Sequence, residues 1–228
     1  MNELLWIGFA VFDLFMALAL FRLFGRTGLY ALVVFNLIIC NIQVLKTIEL
    51  FGLTTTLGNI LYASVFLATD LLNEHYGPRE ARRAVFLGFA TLILATLYMQ
   101  AAILFTPAAD DFAQPHLEAI FGFLPRIAGA SLLAYVVSQL HDVWAFAAWR
   151  KATQGKHLWL RNNASTLVSQ LLDTMVFCLV AFAGVFPWPV FWEICLTTYL
   201  FKSVVAVMDT PFMYLARRMA PKAEPSAS

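Results

Sequence analysis

The chain has 228 residues, of which 61% are hydrophobic and 13% charged, and its mean hydropathy is +0.75. Between Asn2 and Arg218 there is too little polar sequence to clothe a water-soluble surface, so the composition excludes an ordinary soluble domain and puts the chain in lipid. A net charge of +1 points to no nucleic-acid partner, and Cys40, Cys178 and Cys195, odd in number and each inside an apolar run, support neither a disulfide framework nor a cysteine metal site.

Apolar runs long enough to cross about 30 Å of hydrocarbon at about 1.5 Å per residue fall near 4–23, 29–50, 57–75, 83–106, 126–149, 163–185 and 190–217. The expected fold is an all-α membrane protein, a polytopic bundle of seven transmembrane helices. The first run contains Ala17-Leu18-Ala19, which looks like a signal-peptidase site. Its flanks are reversed, however, with Glu3 before it and Arg22 and Arg26 after it, so it reads as a retained helix. Punctuation supports the boundaries: Gly25 and Gly28, Gly52 and Gly58, Gly77-Pro78, Pro107 with Pro115, Gly155, and Pro187 with Pro189. The division expected is 1–26 for an additional N-terminal helix, 27–219 for a six-helix core and 220–228 for a disordered cytoplasmic tail.

Basic residues give an independent check, because cytoplasmic loops are enriched in Lys and Arg. Arg22 and Arg26 fall in the first connection, Arg79, Arg82 and Arg83 in the third, Arg150, Lys151, Lys156 and Arg161 in the fifth, and Arg217, Arg218 and Lys222 after the last helix; these are twelve of the fifteen. Strict alternation over seven spans then sets the N-terminus outside and the C-terminus inside. The remaining three, Lys46, Arg126 and Lys202, lie in or at the edge of apolar segments and require partners.

A charge at a helix centre costs on the order of 3 kcal/mol on insertion scales, so such residues face a protein interior or a wet cavity. Asp70 lies in the third run with Asn73 and Glu74 after it, Asp142 in the fifth, Asp173 in the sixth and Lys202 in the seventh, with Asp209 beyond. The fifth and sixth runs repeat a pattern, Ser138-Gln139-Leu140-His141-Asp142-Val143 and Ser169-Gln170-Leu171-Leu172-Asp173-Thr174, in which Gln and Asp are three apart and share a helix face. Asp142 lies seven residues before the inner end of one run and Asp173 ten after the inner end of the next, so in antiparallel helices both sit roughly 10–15 Å deep and can face one cavity. Thr166, Gln170, Asp173 and Thr174 form one polar stripe, and Ser131, Ser138, Gln139 and Asp142 another. The plainer reading, that the groups only bind helices together through hydrogen bonds, suits Ser131, Ser138 and Ser169 better than the two carboxylates. Arg126 and Glu193 fall near the outer face, where they can pair or meet headgroups. Lys202 is a counter-ion to one Asp or a donor to a ligand. Asn36, Asn41 and Gln43 suit packing and solute contact equally. His75, His116, His141 and His157 show no metal-ligand spacing, and no metal or other cofactor is expected.

The stretch Asn59-Ile60-Leu61-Tyr62-Ala63-Ser64-Val65-Phe66-Leu67-Ala68-Thr69-Asp70-Leu71-Leu72-Asn73-Glu74-His75-Tyr76-Gly77, followed by Glu80-Ala81-Arg82-Arg83, resembles the signature region of the queuosine-precursor transporters, also called the vitamin-uptake-transporter-like family. So do Arg126-Ile127-Ala128 with Ala130-Ser131, the two Ser-Gln-Leu hexads, the stretch from Leu158 to Thr166, and Phe201-Lys202. The resemblance runs from about Asn36 to Met219. It implies a six-helix core, similar in fold to the substrate-binding subunits of energy-coupling-factor transporters, preceded here by an extra helix. It also implies uptake of 7-cyano-7-deazaguanine, 7-aminomethyl-7-deazaguanine or queuine across the inner membrane in support of tRNA queuosine modification.

A deazaguanine offers N1–H and an exocyclic amine as donors beside an O6 acceptor, a set that Asp, Gln, Asn and Lys complement, while aromatic faces take the ring. The solute site is therefore expected at Asp70, Gln139, Asp142, Gln170, Asp173 and Lys202, with Asn163, Thr166 and Arg126 beside them. No Gly-rich nucleotide-binding loop occurs, so the chain does not itself hydrolyse ATP. The alternatives are a subunit of an energy-coupling-factor transporter for another vitamin or nucleobase, with ATPase subunits as partners, and a membrane scaffold. A homodimer is compatible with either. No Gly-x-Gly-Asp or Gly-x-Ser-Gly setting for an intramembrane protease appears, so an enzyme is not expected.

Overall fold

In a computed structural model, residues 1–152 and 158–218 are described, apart from the side chains of 139, 140, 142, 143, 145–152, 158–167, 205–211, 213, 217 and 218. Residues 153–157 and 219–228, the latter including the expected tail at 220–228, lie outside the described residues. The chain runs α1 (Asn2–Gln43), β1 (Thr47–Leu50), β2 (Leu53–Thr56), a 3-10 turn (Leu57–Asn59), α2 (Leu61–Tyr76), α3 (Pro78–Ile103), α4 (Gln114–Phe121), α5 (Leu124–Ala152), α6 (Leu158–Phe182) and α7 (Trp188–Arg218).

α1 is two helices joined by a sharp turn. Gly25 has φ 57 and ψ −132, a backbone conformation closed to residues with a Cβ. The limbs on either side run antiparallel: Asp13 and Asn36, nearly equidistant from Gly25, are hydrogen-bonded. Gly28 allows the crossing, since a Cβ there would lie 2.3 Å from the Leu20 carbonyl oxygen. With α1 counted as two, the long helices are seven, in the order expected. Three described helical stretches are long and apolar enough to cross a membrane, Asn2–Gln43, Pro78–Ile103 and Gln114–Ser138. Large apolar side chains such as Phe35, Phe86, Leu97, Tyr98 and Trp192 are exposed around the outside, as lipid contact requires.

Two elements depart from the expected runs. The second apolar run extends to position 50, but α1 stops at Gln43 and a two-stranded antiparallel hairpin follows, pairing Thr47 with Thr56 and Leu50 with Leu53. The β-branched residues at Thr47, Ile48, Thr54, Thr55 and Thr56 favour the pleated form. Phe51 (φ 52) and Gly52 (φ 76) form the two-residue turn, with positive φ at both central positions as tight hairpins demand. α4 is a short helix in the fourth connection, with a proline in its first turn.

Hydrogen bonds show which element ends lie together. At one end of the bundle, Asn2 donates to the Glu49 carbonyl (3.0 Å), the Phe51 amide donates to Glu3 (3.3 Å), and Thr197 at the start of α7 donates to the Thr54 carbonyl (3.0 Å). The opposite end gathers the Gly25 turn and the α2–α3 junction, where Arg26 pairs with Glu80 at 3.3 Å and Tyr30 donates to the same carboxylate. The main apolar core packs the first limb of α1, through Trp6, Ala10, Leu14, Leu18 and Phe21, against its second limb and α2. A second cluster, around Phe177, Phe182 and Phe191, joins α5, α6 and α7, and a third, around Leu37, Phe89 and Leu92, joins α1, α3 and α5.

Candidate functional site

The helices enclose a cavity of about 590 Å³. Each long segment except the first limb of α1 contributes to its wall: Leu37 from the second limb, Tyr62, Phe66, Asp70 and Asn73 from α2, Arg82 and Phe89 from α3, Ser131, Tyr135 and Ser138 from α5, Gln170 and Asp173 from α6, and Lys202 from α7. Its size is that of a small-molecule site, with apolar walls and a few convergent polar groups.

The polar centre is an ion pair between α6 and α7. Lys202 Nζ donates to Asp173 Oδ2 at 2.6 Å, and Lys202 is only 4% exposed. Asp173 Oδ1 lies 3.5 Å from Ser138 Oγ, and the ammonium sits 4.9 Å from the centre of the Tyr62 ring. In an apolar bundle neither charge is tolerable alone, and together they present a donor and an acceptor side by side. Tyr135 stacks obliquely on Phe89 at 5.0 Å, giving the wall a broad aromatic surface. Nearby, Ser131 donates to Asn41 Oδ1 at 2.6 Å, tying α5 to α1, and His141 Nδ1 lies 3.0 Å from Ser169 Oγ.

From this centre the cavity extends along α2 towards the bundle end that holds the α2–α3 junction, where Asp70, Asn73 and Arg82 line it. In the other direction lies a pocket of only about 10 Å³ between Cys40, Asn41, Asn59, Tyr62, Thr198 and Lys202, room for about one water. Asn59 closes that side by donating to Thr198 Oγ1 at 3.3 Å, beneath the hairpin. Tyr62 and Lys202 line both spaces and so stand between the wide chamber and the small one.

Of the residues expected from sequence, Asp70, Gln170, Asp173 and Lys202 come together on this cavity. The side chains of Gln139, Asp142, Asn163 and Thr166 lie outside the described residues. Arg126 lies elsewhere: exposed, it donates through Nε to the Val180 carbonyl (2.7 Å) and through Nη2 to the Ala183 carbonyl (2.6 Å), over the Phe123 ring. Val180 is in the last turn of α6 and Ala183 is the residue that follows it, where a cation meets both unpaired acceptors and the negative end of the helix dipole. Sequence reasoning missed Tyr62, Tyr135 and Arg82 as lining residues; Tyr62, eight positions before Asp70 on the same helix, carried a periodic signal. Asn36 does not reach this cavity but bonds to Asp13 and Ser64 inside the main core. Among the described residues no group of three or more His, Cys, Asp or Glu side chains is placed to hold a metal ion.

A family model described as "Putative vitamin uptake transporter" matches residues 56–216. A protein of Bacillus subtilis (strain 168) named "Probable queuosine precursor transporter" is 48% identical over 99% of each chain. One of Escherichia coli (strain K12), named "Queuosine precursor transporter", is 32% identical over 88% of this chain and 93% of its own. A third, of Haemophilus influenzae and named "Probable queuosine precursor transporter", is 32% identical over 69% of this chain and 66% of its own. No solved structure matches significantly. With its chambered helical bundle, an ion pair facing the chamber, a family model that matches most of its length and a relative that aligns over 99% of both chains, the chain belongs to the vitamin uptake transporter family of membrane proteins.

Proposed function

We propose that this protein carries queuosine precursors, 7-deazaguanine bases, across the inner membrane as a seven-span carrier with its N-terminus outside. The observation that supports this most is the Lys202–Asp173 pair on the wall of the cavity. A deazaguanine presents O6, an acceptor, next to N1–H, a donor, and an adjacent ammonium and carboxylate are the complement of that edge. Gln170 supplies a further amide, and Tyr62, Tyr135 and Phe89 supply flat apolar surface for the ring. The names of the relatives point to the same class of solute.

The wide chamber reaches the end of the bundle that carries Arg26, Arg79, Arg82 and Arg83, which the positive-inside rule makes cytoplasmic. The arrangement then reads as an inward-open state, sealed on the outer side at Asn59, Tyr62 and Thr198. Transport would exchange it for a state in which the chamber at Lys202 opens beneath the hairpin and closes at Asp70 and Arg82. We assign the protein as a stand-alone carrier; co-purification of ATPase subunits would reverse that assignment.

The test is ligand protection. Deazaguanines should raise the unfolding temperature of the purified protein, since a ligand bound only by the folded state stabilises it. The Asp173→Asn variant, whose amide oxygen still accepts from Lys202, should fold with reduced stability and lose both the protection and uptake into cells. Protection by unrelated vitamins and not by any deazaguanine would replace the proposed solute.

A further inference from the structure

We propose that Gln170 is a specificity-determining residue that reads the 2-amino group of the solute, so that the carrier takes 2-amino-6-oxo bases and discriminates against 6-oxo bases that lack the amine. This rests on the base-carrier reading above and adds to it a second point of recognition, one helical turn from the ion pair.

The wall beside Asp173 holds one amide that nothing in the protein has engaged. Gln170 lines the cavity, is half-buried, and its side chain makes no hydrogen bond among the described residues. The hydroxyls around it are already engaged: Ser138 donates to the Tyr135 carbonyl, Ser131 to Asn41, and Ser169 lies 3.0 Å from His141 Nδ1. Gln170 and Asp173 are three apart on α6, which puts them on one face with Cβ atoms about 5–6 Å apart. An amide inside an apolar bundle costs free energy unless its hydrogen bonds are completed, and here what completes them comes from the cavity.

The edge of the solute supplies the match. Along a deazaguanine, O6, N1–H and the 2-amino group follow one another. With O6 at the Lys202 ammonium and N1–H at Asp173, the amine falls on the far side of Asp173 from Lys202. A free carboxylate takes N1–H and the amine with one oxygen each, but Asp173 Oδ2 is held by Lys202 at 2.6 Å and leaves Oδ1 for the solute. The amine then needs another acceptor, and the side-chain oxygen of Gln170 stands one turn away. Gln170 lines the wide chamber and not the small pocket beyond Lys202, so it lies on the side of the pair where the amine is carried. A substituent on C7 flanks O6 on its other side, and the contact at Gln170 is the same whatever group C7 bears.

The experiment measures inhibition of labelled 7-cyano-7-deazaguanine uptake by unlabelled 7-deazaguanine and 7-deazahypoxanthine, which differ only in the 2-amino group, in proteoliposomes containing the full chain. Wild type should prefer 7-deazaguanine by about tenfold or more, the scale of one hydrogen bond lost with its partner left unpaired. Gln170→Met, close in size but without the amide, should lower that ratio by about tenfold. Gln170→Ala should do the same, and it supplies the answer if the Met variant does not fold. Gln170→Glu retains an acceptor and should retain the ratio. Equal inhibition by the two bases in wild type, a ratio unmoved by Gln170→Met or Gln170→Ala, or a ratio lost as fully in Gln170→Glu would overturn the proposal. No uptake of the labelled base by wild type would remove the base-carrier reading itself, which is a separate failure.

Discussion

Lys202 on α7 and Asp173 on α6 are joined by a 2.6 Å ion pair whose ammonium is almost entirely enclosed and whose carboxylate still reaches the cavity. The asymmetry gives the pair two roles, holding α6 against α7 and presenting a polar edge to a solute. We expect Lys202→Met to cost about 3 kcal/mol, because it strands a partly buried carboxylate. The double variant Lys202→Met with Asp173→Leu should recover most of that stability and none of the uptake. Thermal unfolding and uptake, measured on the same three proteins, check this; a double variant that transports would separate the pair from the solute.

Arg126 should behave in the opposite way. Its bonds to the Val180 and Ala183 carbonyls finish the C-terminal turn of α6 at the bundle surface. Arg126→Met is expected to lower stability by about 1 kcal/mol and to leave the affinity for solute as it was. A loss of affinity without a loss of stability would return this residue to the binding site.

The seven long helices were readable because lipid enforces long apolar runs, and the glycines, prolines and arginines between those runs mark where they end. The hairpin was not. Val44, Leu45, Ile48 and Leu50 continue the apolar composition of the second run past its helical end, and hydropathy does not separate a helix end from a strand. The threonines at 54–56 and the Phe51-Gly52 turn held the missing signal. In the site, charge made Asp70, Asp173 and Lys202 visible, since a charge within an apolar run demands an explanation. Tyr62 and Tyr135 were hidden among the 21 Phe, 6 Trp and 7 Tyr, where only three-dimensional placement separates a ring in a cavity from a ring in lipid. Asp13, a charge inside the first apolar run, carries the same signal as Asp70.

The hairpin turn offers a gain in stability. Phe51 holds φ 52 and is 66% exposed, so its ring contributes little burial to offset a left-handed backbone. Asn tolerates that conformation, and Asn-Gly is the favoured pair for a turn of this geometry. We expect Phe51→Asn to stabilise the protein by about 1 kcal/mol, read as a higher unfolding temperature. An unchanged or lower temperature would mean that the Phe51 ring is held by contacts the protein needs.

Asp13 ties the first limb of α1 to the rest of the bundle. The Asn36 amide nitrogen donates to Asp13 Oδ1 at 3.0 Å and to Ser64 Oγ at 2.6 Å, so one side chain joins both limbs of α1 and α2. Ser64 Oγ also lies 3.2 Å from the Leu61 carbonyl, to which it donates, while Asp13 Oδ2 has no partner among the described residues. Asn36 is therefore the hinge of the network, and its loss leaves the buried Asp13 carboxyl with only the Ser64 hydroxyl beside it. Asn36→Leu should cost about 2–3 kcal/mol. Asp13→Leu removes the costly group itself and should cost less. The double variant should be more stable than the sum of the two single losses predicts, because nothing polar is then stranded at Asp13. A double-mutant cycle on unfolding free energies measures that coupling directly. Strict additivity would show that the two side chains do not depend on each other.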